Sequence, residues 1–274
     1  MTVRDALVEA TEALEQSRCP SPLVDAEWLL SHVLGVKRSE LYAREHELDE
    51  AELGRFGELV ERRAGREPLA YILGEWGFRR LTLAVDPRVL IPRPETEAVV
   101  DRCLSLLEGV EEPRVLDVGV GSGAIALALA DERPDARVVG TDVSPEALEV
   151  AEENRLRAGV DGRVRFVLGD LLAGEPGPFD LVVSNPPYVS ADELAALEPE
   201  LRSEPCWALV GEGAHEAVAT AAREALAPGA ALVFEVGDGQ AATVAELLTN
   251  LGYDDVRVSP DLAGRERIVE GRRS

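Results

Sequence analysis

Asn185-Pro186-Pro187-Tyr188 follows the apolar run Leu181-Val182-Val183. That run reads as a strand, so the four residues stand at the carboxyl edge, where α/β sheets present ligands. Two successive prolines stiffen the turn and hold two acceptors, the Asn185 side-chain oxygen and the Pro186 carbonyl, as a rigid pair. Tyr188 adds an aromatic face beside them. Such a pair accepts both hydrogens of a planar –NH2 group while the ring stacks on its π-system. The chemistry it suits is reaction at a planar amino nitrogen.

A second constellation, Asp117-Val118-Gly119-Val120-Gly121-Ser122-Gly123, follows a strand and opens a helix. Glycines there let the backbone turn tightly and approach a ligand with no Cβ in the way. Read as GxGxG, the loop suits adenosyl-methionine; read as Gly119-x-Gly121-x-x-Ala124, it satisfies the dinucleotide fingerprint. Asp142, at the end of the next strand, is placed to accept hydrogen bonds from ribose hydroxyls. Ser144-Pro145 already supplies the following helix with its cap, which leaves Asp142 free for a ligand. These two features imply a nucleoside-containing cofactor without choosing one. The Asn-Pro-Pro-Tyr turn is unexplained by a nicotinamide dehydrogenase and favours adenosyl-methionine.

The elements that position these residues follow from periodicity. Residues 1–73 read as short helices. Ser21-Pro22 opens one that buries Val24, Trp28, Leu29 and Val33 and stops at Gly35, and Asp49 with Glu52 forms a capping box before Leu53, Phe56, Leu59 and Val60. Residues 74–94 read as a hairpin joint in which Pro87, Pro92 and Pro94 break any regular element. Residues 95–274 read as alternating strands and helices, the pattern of a parallel-sheet α/β domain, with Asp255–Ser259 and Arg267–Glu270 as a closing antiparallel pair.

Composition narrows the function. The chain of 274 residues carries 28 Lys+Arg against 52 Asp+Glu, a net charge of −24. Its one lysine is Lys37, a poor endowment for neutralising phosphates, so direct nucleic-acid binding is not expected. The balanced stretch holds Arg62, Arg63, Arg66, Arg79, Arg80, Arg88 and Arg93. It reads first as a solvated surface and second as a dock for an acidic partner. The longest apolar run, Ala124–Ala130, is far short of the roughly 18 residues that span a membrane. Cys19, Cys103 and Cys206 form no CxxC pair and His32, His46 and His215 are scattered, which argues for a reducing cytoplasm and no metal centre.

The glycine loop with Ser-Asn-Pro-Pro-Tyr resembles methyltransferases that act on planar amino nitrogens. Ile91-Pro92-Arg93-Pro94-Glu95-Thr96-Glu97, preceded by Gly65–Gly74 (GREPLAYILG), narrows the likeness to the peptide chain release factor glutamine N5-methyltransferase family (PrmC/HemK). The likeness runs over nearly the whole chain, to Gly264-Arg265-Glu266-Arg267. It implies a Rossmann-like, class I S-adenosyl-methionine-dependent methyltransferase domain behind a small all-helical recognition domain. It implies S-adenosyl-L-methionine as cofactor and S-adenosyl-L-homocysteine as product. Gly119, Val120, Gly121, Ser122 and Gly123 would wrap the methionine part, Asp142 would hold the ribose, and Asp170 with Leu171 would flank the adenine. Asn185, Pro186, Pro187 and Tyr188 would bind the substrate glutamine, with Asn185, Pro186 and Tyr188 catalytic and Asn185 also near the cofactor. Val120 stands where a threonine is usual, which removes a hydroxyl but leaves the backbone amides. Leu171 stands where some members carry an aromatic. The implied partner is a class I release factor, methylated by a monomer at the glutamine of its GGQ tripeptide. The alternative is an adenine-N6 or other nucleic-acid amino-methyltransferase, against which the charge and the IPRPETE segment both speak.

Overall fold

The computed structural model describes residues 1–43, 47–189 and 198–274; His46 lies outside them. The chain falls into two compact units, Met1–Gly74 with Leu197–Ser203, and Glu75–Ala196 with Glu204–Ser274.

The first unit is helical: α1 Val3–Gln16, α2 Pro22–Leu34, α3 Arg38–Leu41, α4 Glu50–Ala64 and α5 Leu69–Leu73. Capping boxes start α1 (Thr2 with Asp5) and α4 (Asp49 with Glu52), each satisfying two orphan amides reciprocally. Leu14, Leu29, Leu30, Leu41 and Phe56 fill the core. The buried face of α2 differs from expectation. Val24 and Trp28 are 41% and 40% exposed, while Asp25, Ala26, Leu29 and Leu30 are buried. Asp25 lies inside because it pairs with buried Arg63 at 2.7 Å, and Trp28 stays out beneath the Arg38 guanidinium. A pairing this remote in sequence is invisible to hydropathy. Ser21 occupies the cap position without a side-chain hydrogen bond, so Pro22 at the first helical position marks the start. The 3-10 turn Pro199–Ser203 joins this unit through Glu200, which takes Arg63 at 2.9 Å and Arg66 at 2.6 Å.

The second unit opens with the hairpin β1 (Glu75–Phe78) and β2 (Leu81–Ala84). Pro94 then begins α6 (Pro94–Leu106). The expectation that it breaks regular structure is corrected: at the first helical position its missing N–H has no intrahelical partner to lose. Five more strands and five helices alternate in the main as predicted: β3 Arg114–Val118, α7 Ala124–Glu132, β4 Arg137–Asp142, α8 Pro145–Ala158, β5 Val164–Leu168, β6 Phe179–Ser184, a short α9 Cys206–Leu209, α10 Ala214–Ala225, β7 Leu226–Glu235 and α11 Ala241–Asn250. The antiparallel pair β8 (Tyr253–Pro260) and β9 (Glu266–Arg273) closes the edge. The sheet order is β5-β4-β3-β6-β7-β9-β8, parallel from β5 to β7. One face packs on α6 and α7 and the other on α10 and α11, so Val115 and Leu116 point to opposite cores. Strand order reverses between β3 and β6, the switch point at which such sheets bind ligands.

Candidate functional site

At that switch point lies a cavity of about 290 Å3, walled by loops at the carboxyl ends of β3, β4, β5 and β6. Gly119, Gly121, Asp142, Asp170, Leu171, Asn185, Pro186 and Pro187 line it. Gly119 and Gly121 take φ of +76° and +53°, and a Cβ on either would meet nothing within 4 Å. The backbone is therefore bared to open space, in a conformation other residues resist.

Val120, Ser122 and Gly123 do not reach the cavity. Val120 is buried against Gly140, and the Ser122 carbonyl accepts Asn154 Nδ2 at 2.9 Å. Gly123 caps α7 from the left-handed region with Leu127 close above it. Most of the loop amides are bonded within the protein. The Gly119 and Val120 N–H groups both donate to the Thr141 carbonyl at 2.9 Å, and Gly123 donates to the Val120 carbonyl. Gly121 donates to Asp142 Oδ2 at 2.9 Å, and Ser144 to Oδ1 at 3.0 Å. Asp142 is thus already braced rather than idle. Each carboxylate oxygen keeps a second lone pair for a ligand hydroxyl.

Asp117, the first residue of the loop motif, carried no role of its own in the sequence. It is 1% exposed and accepts the Ala126 amide at 3.0 Å, and burial above all pushes its carboxyl up to about 7. Leu171 sits at φ +49°, its carbonyl taken by the Thr141 hydroxyl at 2.5 Å. Left-handed backbone at a non-glycine residue is held here by that bond. Asp170 is exposed beside it and accepts the Leu171 amide.

The Asn-Pro-Pro-Tyr turn is supported by residues that carried no assigned role in the sequence. Ser184 Oγ donates to the Val118 carbonyl at 2.7 Å, tying β6 to β3 directly before the turn. Tyr188 does not line the cavity. Its carbonyl accepts Gln240 Nε2 at 2.9 Å, and burial raises its hydroxyl pKa. A Cβ on Gly237 would lie 2.9 Å from Tyr188 Cδ2, so only glycine admits the ring at this distance. Beside Asn185 at the strand ends lies Glu235, a residue 2% exposed whose Oε2 takes the Thr96 hydroxyl at 2.6 Å and whose charged form the Asn185 amide favours. Burial foremost, with the nearby charge of Glu95, pushes that carboxyl up to about 7.

The arginines of the balanced stretch are spent inside the molecule. Arg62 meets Glu67, Arg63 meets Asp25 and Glu200, and Arg79 meets Glu132 and Asp101. Arg88 meets Asp86 and Glu149, and Arg93 meets Glu204 rather than Glu95 or Glu97. Glu97 instead accepts the Arg79 amide at 2.9 Å. Among the seven, Arg80 is 73% exposed in its side chain.

Comparison with known proteins follows the same division. Residues 5–74 match the family described as PrmC N-terminal domain, and residues 100–234 match Methyltransferase small domain. A release factor glutamine methyltransferase of Deinococcus radiodurans is 47% identical, covering 100% of this chain and 99% of its own length. One from Moorella thermoacetica is 42% identical over 97% of each. Among solved structures, the T. thermophilus 16S rRNA N2 G1207 methyltransferase, in complex with AdoMet and guanosine, superposes with a TM-score of 0.55 at 19% identity, covering 73% of this chain and 50% of that one. That last likeness concerns the fold alone.

Proposed function

The chain belongs to the release factor glutamine methyltransferase family, and we propose that it transfers a methyl group to the side-chain amide nitrogen of the glutamine in the GGQ tripeptide of class I release factors. The observation that carries this reading is the rigid Asn185–Pro186 acceptor pair on the rim of the glycine-lined cavity.

The residues present fit S-adenosyl-methionine. The open space above Gly119 and Gly121 admits a ligand against bare backbone, and Asp142 retains acceptor capacity toward ribose hydroxyls. Asp170 and Leu171 are the residues that would flank the adenine. When bound, this cofactor supplies an electrophilic methyl on a sulfonium.

The protein's own work is on the amide. An amide nitrogen is a poor nucleophile because its lone pair is delocalised into the carbonyl. Asn185 Oδ1 and the Pro186 carbonyl take its two N–H groups and fix the amide plane, while Tyr188 packs beside it. Orientation of this kind contributes up to ~7–11 kcal/mol in favourable cases. Acceptors aimed at a nitrogen where positive charge develops add electrostatic stabilisation. No side-chain base is needed, since the proton leaves to water after transfer.

The enzyme acts in the cytoplasm as a monomer and does not bind nucleic acid directly. The acid excess and the internal pairing of Arg62, Arg63, Arg66, Arg79, Arg88 and Arg93 support the last of these. The test is transfer of labelled methyl from adenosyl-methionine to purified release factor, beside a GGQ-to-GGA variant and duplex DNA. Label in the unaltered factor alone is expected. Label in DNA, or equal label in the GGA variant, overturns the reading.

A further inference from the structure

The register Ser184↔Phe234 between β6 and β7 sets the next residues, Asn185 and Glu235, side by side at the carboxyl edge of the sheet. Glu235 is buried and accepts the hydroxyl of Thr96, the threonine of the IPRPETE segment, at 2.6 Å, and the neighbouring Asn185 amide favours its charged form. A carboxylate only accepts hydrogen bonds, whereas an asparagine amide has a donor end and an acceptor end. The neighbour of Asn185 therefore decides which end faces the cavity.

We propose that Glu235 is a positioning residue for methyl transfer: its carboxylate, braced by Thr96, takes the Asn185 Nδ2–H and so turns Asn185 Oδ1 toward the substrate amide. This rests on the function proposed above and assigns a role to the pair Thr96–Glu235. With Glu235 ionised, Oδ1 is available to an N–H of the incoming amide. With Glu235 protonated, its hydroxyl competes for Oδ1, and the donor end of Asn185 turns toward the substrate, where it repels the –NH2.

The groups facing Glu235 come from four elements. Thr96 and Glu95 lie on α6, Arg267 on β9, and Asn185 and Tyr188 on the turn after β6. His215 on α10 has Nε2 3.3 Å from the Glu235 carbonyl, and burial lowers its pKa. Glu95 favours protonation of Glu235, while Thr96, Arg267 and Asn185 favour the carboxylate. The switch between the two orientations accordingly falls near pH 7.

The side-chain amide signals of Asn185 in the 15N-labelled full chain, identified by their loss in Asn185→Ala, report the orientation without any substrate. They are expected to shift with pH around 7 in the native protein and to lose that response in Glu235→Gln. In the methyl-transfer assay, Glu235→Gln is expected to lower kcat by on the order of tenfold to a hundredfold. Its cofactor affinity should stay within about threefold, because the change misplaces a reacting partner rather than the cofactor loop. Should Glu235→Gln fold poorly, Thr96→Val and Thr96→Ser serve instead, with the hydroxyl-retaining variant keeping several-fold more kcat. Asn185 signals indifferent to both pH and Glu235→Gln, or a Glu235→Gln enzyme with native kcat, overturn the proposal. A native protein that methylates no release factor counts against the proposed function, while the amide signals still judge the role of Glu235.

Discussion

Asn154 and Ala84 exchange two hydrogen bonds in the interior of the second unit. The Ala84 amide donates to Asn154 Oδ1 at 2.6 Å, and Asn154 Nδ2 donates to the Ala84 carbonyl at 3.0 Å. The side chain thus imitates a neighbouring strand for the end of β2. The same Nδ2 also reaches the Ser122 carbonyl, which joins the hairpin, α8 and the glycine loop through one fully buried residue.

Asn154→Leu leaves the Ala84 amide and two carbonyls unsatisfied in the interior. Each orphaned buried group costs about 1–3 kcal/mol, so a loss of roughly 3–9 kcal/mol is expected in urea unfolding. Adenosyl-methionine should bind more weakly as the loop loosens, which a thermal-shift titration measures. Unchanged stability would show that the Asn154 bonds are dispensable.

Asn185→Ala removes one of the two acceptors proposed for the substrate amide and none of the groups proposed for the cofactor apart from itself. Turnover should fall by at least ~10²–10³-fold, the size of loss from deleting one preorganised electrostatic partner. Cofactor affinity should stay within about tenfold. Single-turnover transfer with separately measured cofactor binding distinguishes the two effects.

Gly237→Ala tests how closely Tyr188 must approach its support. The backbone there allows alanine, but the new Cβ would lie 2.9 Å from Tyr188 Cδ2 and 2.8 Å from Gln240 Oε1. The ring must move. KM for the release factor should rise several-fold while cofactor affinity holds, and a normal KM would show that Tyr188 does not contact the substrate.

Gly140→Ala drives a methyl to 2.6 Å from Val120 Cγ2 and 2.8 Å from Phe166 Cδ1. Overpacking of this kind costs about 1–3 kcal/mol. Val120→Ala in the same chain should restore part of that loss, because it removes the atom struck first. Denaturant midpoints of the two single variants and the double variant give the coupling.

The raised carboxyl of Glu235 makes stability depend on pH in a definite direction. Its folded pKa, about 7, lies above the ordinary 4.5, so the folded state holds a proton the unfolded chain has released. That contribution is fully present below about 4.5 and is lost as pH rises through about 7. A shift of this size corresponds to roughly 3 kcal/mol. Glu235→Gln should abolish this falling share of the stability curve, and an unchanged slope between those limits would show that the carboxyl is not raised.

Several features were legible in order along the chain because their physics is local. The capping box Asp49–Glu52, Ser144-Pro145 ahead of α8, the strands Arg137–Asp142 and Phe179–Ser184, and the glycine loop each depend on neighbours within a few residues. The closing pair β8–β9 was readable too, since an alternating pattern next to a turn admits few partners. The buried face of α2 and the start of α6 were misread. Burial of Asp25 depends on Arg63, and a proline ends one element or begins another according to what precedes it.

By itself the sequence determined the α/β class, the helical first unit, the glycine loop and the Asn-Pro-Pro-Tyr turn, for each is written in contiguous residues whose conformations are locally constrained. Only the tertiary structure decided that Asp142 braces the Gly121 amide, that Arg93 serves Glu204, that Gly237 makes room for Tyr188, and that Glu235 meets Asn185. Those pairs are set by strand order and register, and hydrogen bonds and steric exclusion act over a few ångströms of space without regard to distance along the chain.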